Sequence, residues 1–337
     1  MIMQRKCTHN HQTHCTLKEI VMTITNTNHK PKRSLIVSDI HSNADAFQSV
    51  LDDCFLLSKN RKNHHYSGAP FHEIWCVGDI VGYGSEPEKV VDMLRGFHNA
   101  GVSVYAVKGN HDTAVAGLDD PDKTMHDDAS ECAKHNARNI SSGNKTWLKN
   151  LPDLIQVGPK IENPAGITGE RRMITLAHAT PYDPQGAYVT TYRRALKSLD
   201  HLDQEWVPHT PHAIVGHTHE PRVFQFDPQN IVKTPSTDGS LPFYGPAHND
   251  FILEHNRRIK ILENQGNGRF VLNPGSVGQP RDGDPRASYA IAERFGPTNQ
   301  SLKIIARRVG YDVQKVQEKM RAASLPRNMY FRLQFGH

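Results

Sequence analysis

SLIVSDIHS (residues 34–42), EIWCVGDIVGYGSEP (73–87) and VSVYAVKGNHD (102–112) are the stretches from which the architecture can be read. Each opens on an apolar run too short for a helix and rich in Val, Ile or aromatic residues, the signature of a buried strand. Each run then stops at a polar residue: Asp39, Asp79 and Asn110. Helical periodicity follows the first strand over residues 44–57 and the second over 86–98. Strand, helix, strand, helix, strand in this order predicts a layered α/β protein with a partly parallel sheet in its first half.

Outward from these stretches the reading is less regular. A longer helical stretch is expected over 124–150, and further strands over 172–177, 212–215, 222–226, 270–272, 287–292 and 302–308. An amphipathic helix is expected over 311–323. Residues 228–268 are polar, with Pro, Gly and Asn throughout, and read as a long insertion or loop. The predicted organisation is a leader over 1–33, one domain over 34–310 and a C-terminal helix and tail over 311–337. No internal repeat is visible.

Composition narrows the function classes. At 337 residues the chain can bury a full core. No apolar run approaches the ~18 residues that span a bilayer, and no apolar segment of a signal peptide stands near Met1, so neither a membrane partner nor export is expected. The formal charge of +5 equals the balance of the first 33 residues alone, where Arg5, Lys6, Lys18, Lys30, Lys32 and Arg33 face only Glu19. A nucleic-acid binder carries its basic stripe on the folded body, so this distribution argues against a nucleic-acid partner and for a solvated leader. Cys7, His9, His11, His14 and Cys15 have the chemistry of metal ligands, but their setting reads as a polar tail; Met22 offers an alternative start. The five cysteines form no Cys-x-x-Cys pair, which argues for reduced thiols and a cytoplasmic location.

The chemistry lies at the strand ends. Asp39 and His41 follow the first strand, Asp79 the second, and Asn110, His111 and Asp112 the third. His178 follows the strand at 172–177, and His217 and His219 follow that at 212–215. One such residue would read as a helix cap or turn; five strands each delivering one to the same edge read as a site in the crevice where open α/β sheets bind ligands. Carboxylate, amide oxygen and imidazole without thiolate suit Mn²⁺, Fe²⁺, Co²⁺, Ni²⁺ or Zn²⁺. Seven ligands exceed the need of one ion, and two ions ~3.5–4 Å apart form the arrangement that clamps an in-line phosphoryl displacement. The rival Ser-His-Asp reading lacks a Gly-x-Ser-x-Gly elbow.

These residues match a family. Asp39-Ile40-His41, Gly78-Asp79, Gly109-Asn110-His111-Asp112, His178 and Gly216-His217-Thr218-His219 resemble the ordered motifs of the calcineurin-like metallophosphoesterases. GDIVGYGSEP (78–87) and NPGSVGQPRDGDPRASYAI (273–291) resemble its small prokaryotic phosphodiesterase-type branch. The resemblance implies a two-sheet β-sandwich flanked by helices, a four-layer αββα fold. It also implies two divalent metal ions, manganese first among them. Asp39, His41 and His219 would bind one, Asn110, His178 and His217 the other, with Asp79 bridging. A hydroxide held by the ions would attack a small phosphoester in line, and His111 would protonate the leaving group, with Asp112 orienting it or capping a helix. A protein Ser/Thr phosphatase, a dinucleoside-polyphosphate hydrolase and a nuclease would share this site. A non-catalytic scaffold would be expected to lack ligands, and none of the seven is missing.

Two departures bear on the pocket. The family's His-Gly-Ser is here His178-Ala179-Thr180, where Ala179 is expected to narrow the pocket, and the 228–268 segment could act as a lid. Arg281 and Arg286, with Asp282 and Asp284 beside them, are candidates either for substrate phosphate or for ion pairing within their loop. Asn273 and Ser276 are candidates for substrate contact or for a turn. His64 and His65 lie in a charged connection and read as exposed. His126, His135, His201, His209 and His248 match no ligand motif, and His212 reads as a packing residue.

Overall fold

The computed structural model describes residues 32–59, 71–161, 171–204, 210–234, 243–255, 258–261, 268–295 and 301–337. The leader expected over 1–33 lies outside them up to residue 31, as do His64, His65 and His209. Its last residue belongs to the fold: Arg33 opens β1 (Arg33–Val37), where its guanidinium donates to Glu293 at 2.7 Å.

The first half follows the expected alternation: β1, α1 (Ala44–Lys59), β2 (Glu73–Cys76), α2 (Pro87–Asn99) and β3 (Ser103–Ala106). The single helix expected over 124–150 is instead split. After α3 (Asn110–Val115) come α4 (Pro121–Thr124), α5 (Asp127–Arg138) and α6 (Ser142–Lys149). The break has a local cause, because Ser141 caps a new helix by accepting the Asn144 N–H at 3.2 Å.

The second half comprises β4 (Leu154–Ile161), β5 (Arg171–Ala177), α7 (Tyr192–His201), β6 (His212–Ile214), β7 (Pro221–Thr234), β8 (Phe243–Ile252), β9 (Arg258–Ile261), β10 (Arg269–Pro274), β11 (Ala287–Phe295) and β12 (Ser301–Val309). β4 and α7 were not expected from the sequence. The segment expected to be a polar loop over 228–268 contributes strands: β7 runs on to Thr234 and pairs antiparallel with β8, and β9 pairs with β12. The chain ends in α8 (Val313–Ala322), α9 (Arg327–Phe331) and a 3₁₀ turn (Arg332–Phe335).

Two six-stranded mixed sheets result, ordered β3-β2-β1-β11-β12-β9 and β4-β5-β6-β10-β7-β8. β1, β2 and β3 are parallel, as are β5, β6 and β10. Side chains alternate across each strand, and the alternation assigns the layers. In β1 Leu35 and Val37 face α1 and α2 with Phe47, Leu51, Val90 and Leu94, while Ile36 faces inward. In β2 Trp75 faces inward between Ile74 and Cys76. It joins Ile174, Leu176, Ile214 and Leu272 of the other sheet in the layer between the two. On the far face Ala213, Val271 and Phe224 meet Ala195 and Leu199 of α7. The order helix, sheet, sheet, helix is the αββα sandwich.

The parallel strands set the position of the site, because β1, β2, β3, β5 and β6 end on one edge of the sandwich. Trp75, with no exposed surface, is the largest side chain in the middle layer, and its indole N–H donates to Glu73 at 3.2 Å. Trp75→Ala is expected to lower the unfolding free energy by about 3–5 kcal/mol. Denaturant titration would measure this, and a loss below about 1 kcal/mol would show that the layer does not depend on the indole.

A buried carboxylate and imidazole centre at the sheet edge

The ligand residues sit on backbone that the strands alone would not produce. Asp39, His41, Asp79, His217 and His219 all adopt left-handed conformations, with φ of 51, 48, 47, 66 and 60°. A non-glycine residue pays for that conformation and keeps it only where surrounding contacts over-determine it. Those contacts run between loops. The N–H groups of Asp39, His41 and Ser42 donate to the carbonyls of Gly78, Asp79 and Ile80 at 3.0–3.1 Å. The Gly216 N–H reaches the His178 carbonyl at 2.7 Å, and those of Val277 and Gly278 reach Ser38 and Asp39 at 3.0 Å. Gly109 allows the third loop to close on the second, since a Cβ there would overlap the Asp79 carboxylate.

The result is a convergence of donor atoms. Asp39, His41, Asp79 and His219 offer ligand atoms that all lie within 4.8 Å of one another, and so do Asp79, His178 and His217. Asp79 belongs to both groups: its Oδ2 is 3.6 Å from His41 Nε2 and 3.2 Å from His178 Nε2. Asp39 Oδ1 stands 3.3 Å from His219 Nε2. Asn110 opens α3 beside them, its Oδ1 buried and without a hydrogen-bond partner.

The imidazoles are oriented from behind. His41 Nδ1 contacts the Val81 carbonyl at 3.0 Å, His178 Nδ1 that of Val77 at 2.8 Å and His219 Nδ1 that of Gln279 at 2.6 Å. A carbonyl accepts only, so each Nδ1 carries a proton and each Nε2 points inward, where it offers a lone pair once it holds no proton of its own. That is the second-layer arrangement of metal-binding histidines. His41 and His219 then face each other Nε2 to Nε2 at 3.2 Å, and His178 Nε2 faces His217 Nδ1 at 3.2 Å. Imidazole nitrogens that converge in pairs around buried carboxylates fit divalent cations that displace whatever ring protons are held there.

Electrostatics agree. Burial pushes the Asp39 carboxyl up to about 7, assisted by Asp79 and opposed by His178. Burial would lower His178, but Asp79 reverses this and raises it to about 9. Burial lowers His217 to about 3 and His41 and His219 further below the usual imidazole range. Without metal, protons on Asp39 and His178 supply the charge compensation that cations would otherwise provide.

His111 lies against the centre rather than within the ligand groups. Its ring centroid is 4.9 Å from that of His41, its main-chain N–H donates to Asp79 Oδ1 at 2.9 Å, and its buried ring Nδ1 has no partner. Burial lowers its pKa to about 4, so in the free protein the ring is neutral. The expectation that Asp112 could orient it does not hold. The Asp112 carboxylate accepts from the N–H groups of Gly109 and Val81, each at 3.0 Å, and so closes the first turn of α3.

Asn273 and Ser276 serve their loops. Asn273 donates to the Gly216 carbonyl at 2.7 Å and to Thr218 Oγ1 at 2.8 Å, and Ser276 donates to the Asp39 carbonyl at 2.8 Å. Arg286 is exposed and paired with Asp284 at 2.6 Å, away from the centre. Arg281 instead faces it, donating to the Tyr83 hydroxyl at 3.2 Å. Ala179 is fully buried, with its N–H bonded to the Pro184 carbonyl at 2.9 Å. His212 packs, stacked on Phe270 with centroids 4.2 Å apart.

Sequence reasoning missed four residues. Tyr83 leans on His41 and His111 with centroids 4.5 and 4.3 Å apart, and Tyr188 stacks on His217 at 4.0 Å. Buried Asn136 accepts from Ser42 Oγ at 2.5 Å and the Gly82 N–H at 2.9 Å, and donates to the Gly84 carbonyl at 2.8 Å. Arg332, in the C-terminal 3₁₀ turn, lies over the Tyr83 ring. Tyr83 was the one within reach, since it stands inside the GDIVGYGSEP string.

Fold and site together define a metal-dependent hydrolase of phosphoric esters. Residues 33–294 match the calcineurin-like phosphoesterase superfamily domain, and the chain belongs to that family. It is 30% identical over 301 residues to an uncharacterized protein of Methanocaldococcus jannaschii, covering 89% of this chain and 97% of that one. It is also similar to the crystal structure of a metallophosphoesterase from Sphaerobacter thermophilus, at 29% identity and a TM-score of 0.60 over 91% of this chain and all of the other. A hypothetical protein from Pyrococcus horikoshii shares the fold at 16% identity and a TM-score of 0.60, over 90% and 98% of the two chains.

Metal uptake must displace the protons on Asp39 and His178. Both groups hold a proton below their raised values, so apparent affinity is expected to increase with pH through 7 and to level off above about 9. Calorimetric titration of the metal-free protein in buffers of different ionisation enthalpy would show the released protons. Affinity independent of pH between 6 and 9 would contradict the assignment of these two groups.

Proposed function

We propose that this protein is a phosphodiesterase-type hydrolase with a binuclear centre, in which Asp39, His41 and His219 hold one divalent ion, Asn110, His178 and His217 the other, and Asp79 both. The observation that carries the proposal is the position of Asp79 Oδ2, within 3.6 Å of an imidazole of each ligand group. Two ions held by these residues would polarise a phosphoester oxygen and supply an activated water. The rest falls to the chain. The buried carboxylates would keep the ions in place, and the carbonyls of Val81, Val77 and Gln279 keep the imidazoles aimed. Manganese is the ion we expect, since the donors are oxygen and imidazole without thiolate. Free, buried Cys54, Cys76 and Cys132 support a reducing, cytoplasmic setting. Among the described residues no helix is long and apolar enough to cross a membrane.

His111 is the candidate acid. Its neutral ring in the free protein requires that it take up its proton together with an anionic substrate, whose charge favours the imidazolium. Its unpartnered Nδ1 and its place beside, rather than among, the ligand atoms support this role.

Metal-free protein supplied singly with Mn²⁺, Ni²⁺, Co²⁺, Zn²⁺ or Mg²⁺ is expected to hydrolyse bis(p-nitrophenyl) phosphate with Mn²⁺. Activity confined to monoesters with every ion would make the protein a phosphatase. Asp79→Ala is expected to bind markedly less metal than the unmutated chain, and two ions per chain in that variant would remove Asp79 from its bridging role.

His111→Gln is expected to keep its metal and lose about 10²–10⁴ in turnover. The loss should be smaller for p-nitrophenyl esters than for alkyl esters, whose alkoxide needs a proton. A loss equal for both leaving groups would assign His111 to charge stabilisation instead.

A further inference from the structure

Two guanidiniums meet at the rim of the centre without a carboxylate. Arg281, in the loop between β10 and β11, and Arg332, in the C-terminal 3₁₀ turn, both lie over the Tyr83 ring, with Cζ 5.7 and 5.0 Å from its centroid. Among the described residues neither has a carboxylate partner. The recorded side-chain partners are neutral: the hydroxyls of Tyr83 and Tyr188 for Arg281, and Gln279 Oε1 and the Tyr83 hydroxyl for Arg332. The Nε of each is buried and unbonded. By contrast Arg33 and Arg294 pair with Glu293 and Glu73, Arg307 with Asp53 and Arg308 with Asp282.

Two like charges held at one ring repel, and partial burial removes the water that would screen them. The tail is nevertheless built to bring Arg332 there. Met320, Leu325, Met329 and Leu333 pack with Cys132 and Tyr83. The Gln279 side chain donates to the Met329 carbonyl at 3.4 Å, and the Gly283 N–H donates to the Gly336 carbonyl at 2.9 Å. Tyr83 in turn abuts His41 and His111, so the arginine pair borders the place where a scissile phosphate would lie.

We propose that Arg281 and Arg332, with the Tyr83 and Tyr188 hydroxyls, form an anion pocket for a second phosphoryl group carried by the same substrate molecule. This rests on the phosphodiesterase reading of the centre, in which the cations neutralise the scissile phosphate and leave the arginines free for another dianion. Two guanidiniums supply two charges and forked donors, which match a phosphate better than a single carboxylate. Arg332 lies outside residues 33–294, the part matched to the family, while Tyr83, Tyr188 and Arg281 lie within it.

The test is steady-state hydrolysis, with Mn²⁺-loaded full-length protein, of dithymidine monophosphate and of the same dinucleotide bearing an added phosphate at its 5′ or 3′ end. The unmutated protein is expected to favour at least one phosphorylated form in kcat/KM by about tenfold or more. Arg332→Ala and Arg281→Ala should collapse that preference, chiefly through KM, with a smaller loss on the unphosphorylated dinucleotide. Arg332→Lys should retain part of it. Arg332→Gln, measured with melting temperature and metal content, separates lost charge from a loosened tail. Equal hydrolysis of all three by the unmutated protein would overturn the pocket and leave the phosphodiesterase reading intact. An equal loss on all three in Arg332→Ala would place the guanidinium on the scissile phosphate or on tail docking, and also overturn it. No hydrolysis of any of them, with bis(p-nitrophenyl) phosphate still turned over, would overturn the pocket alone, and no turnover of that diester either would overturn both readings.

Discussion

Asp39 and Asp79 are two carboxylates with essentially no exposure, placed side by side where the strands of both sheets end. Burying one unpaired carboxylate is costly, and burying a second beside it is more so, because like charges repel. Much of the local structure can be understood as the answer to that cost. Four imidazoles surround the pair, three of them held by main-chain carbonyls at Nδ1 so that Nε2 points inward. Without cations the protein compensates by retaining protons on Asp39 and His178, so protons and cations are alternative ways to offset the carboxylate charge. Metal and protons compete for it.

The same requirement explains the backbone. Strands running out of a parallel sheet would carry their next residues apart, and left-handed turns at Asp39, His41, Asp79, His217 and His219 fold them back over the edge. The strain is tolerated because the loops hydrogen-bond to one another rather than to water, and because Asn136 clamps the loops after β1 and β2 from α5. A substitution at Gly109 would act at this level, by pushing the third loop off the Asp79 carboxylate.

What could be read in the sequence follows from this division. The ligand types were legible because the apolar periodicity ends abruptly at each strand and the next residue is chemically unlike its surroundings. Asp39, His41, Asp79, His178, His217 and His219 are gathered by the fold for that reason. The break within 124–150 was harder to see, because it turns on one serine cap, Ser141, in an otherwise helical stretch. β8 was hidden by a polar composition, since its pairing with β7 is set by backbone register and not by an apolar run. Arg281 and Arg286 are indistinguishable in a string. Only the fold shows that Asp284 occupies one and that the tyrosines receive the other. Arg332 and Asn136 had no local signal at all, since their partners lie 53 and 94 residues away.

The tail shows how a segment remote in sequence becomes part of the centre's energetics. Gln279 accepts at its main-chain carbonyl from His219 Nδ1, and its side chain contacts Met329 and Arg332. One residue therefore fixes the tautomer of a candidate ligand and anchors the C-terminal turn. Lys319 of α8 adds ion pairs to Asp45 at 2.5 Å and Glu86 at 2.8 Å, and so ties the tail to α1 and to the residue before α2. These pairs are partly exposed and individually modest. The apolar face of the tail, seated on Cys132 and Tyr83, supplies the larger attachment. Docking of the tail and order at the metal centre are then coupled through Tyr83 and Gln279, because any motion that lifts the tail must disturb contacts those residues make with the imidazoles.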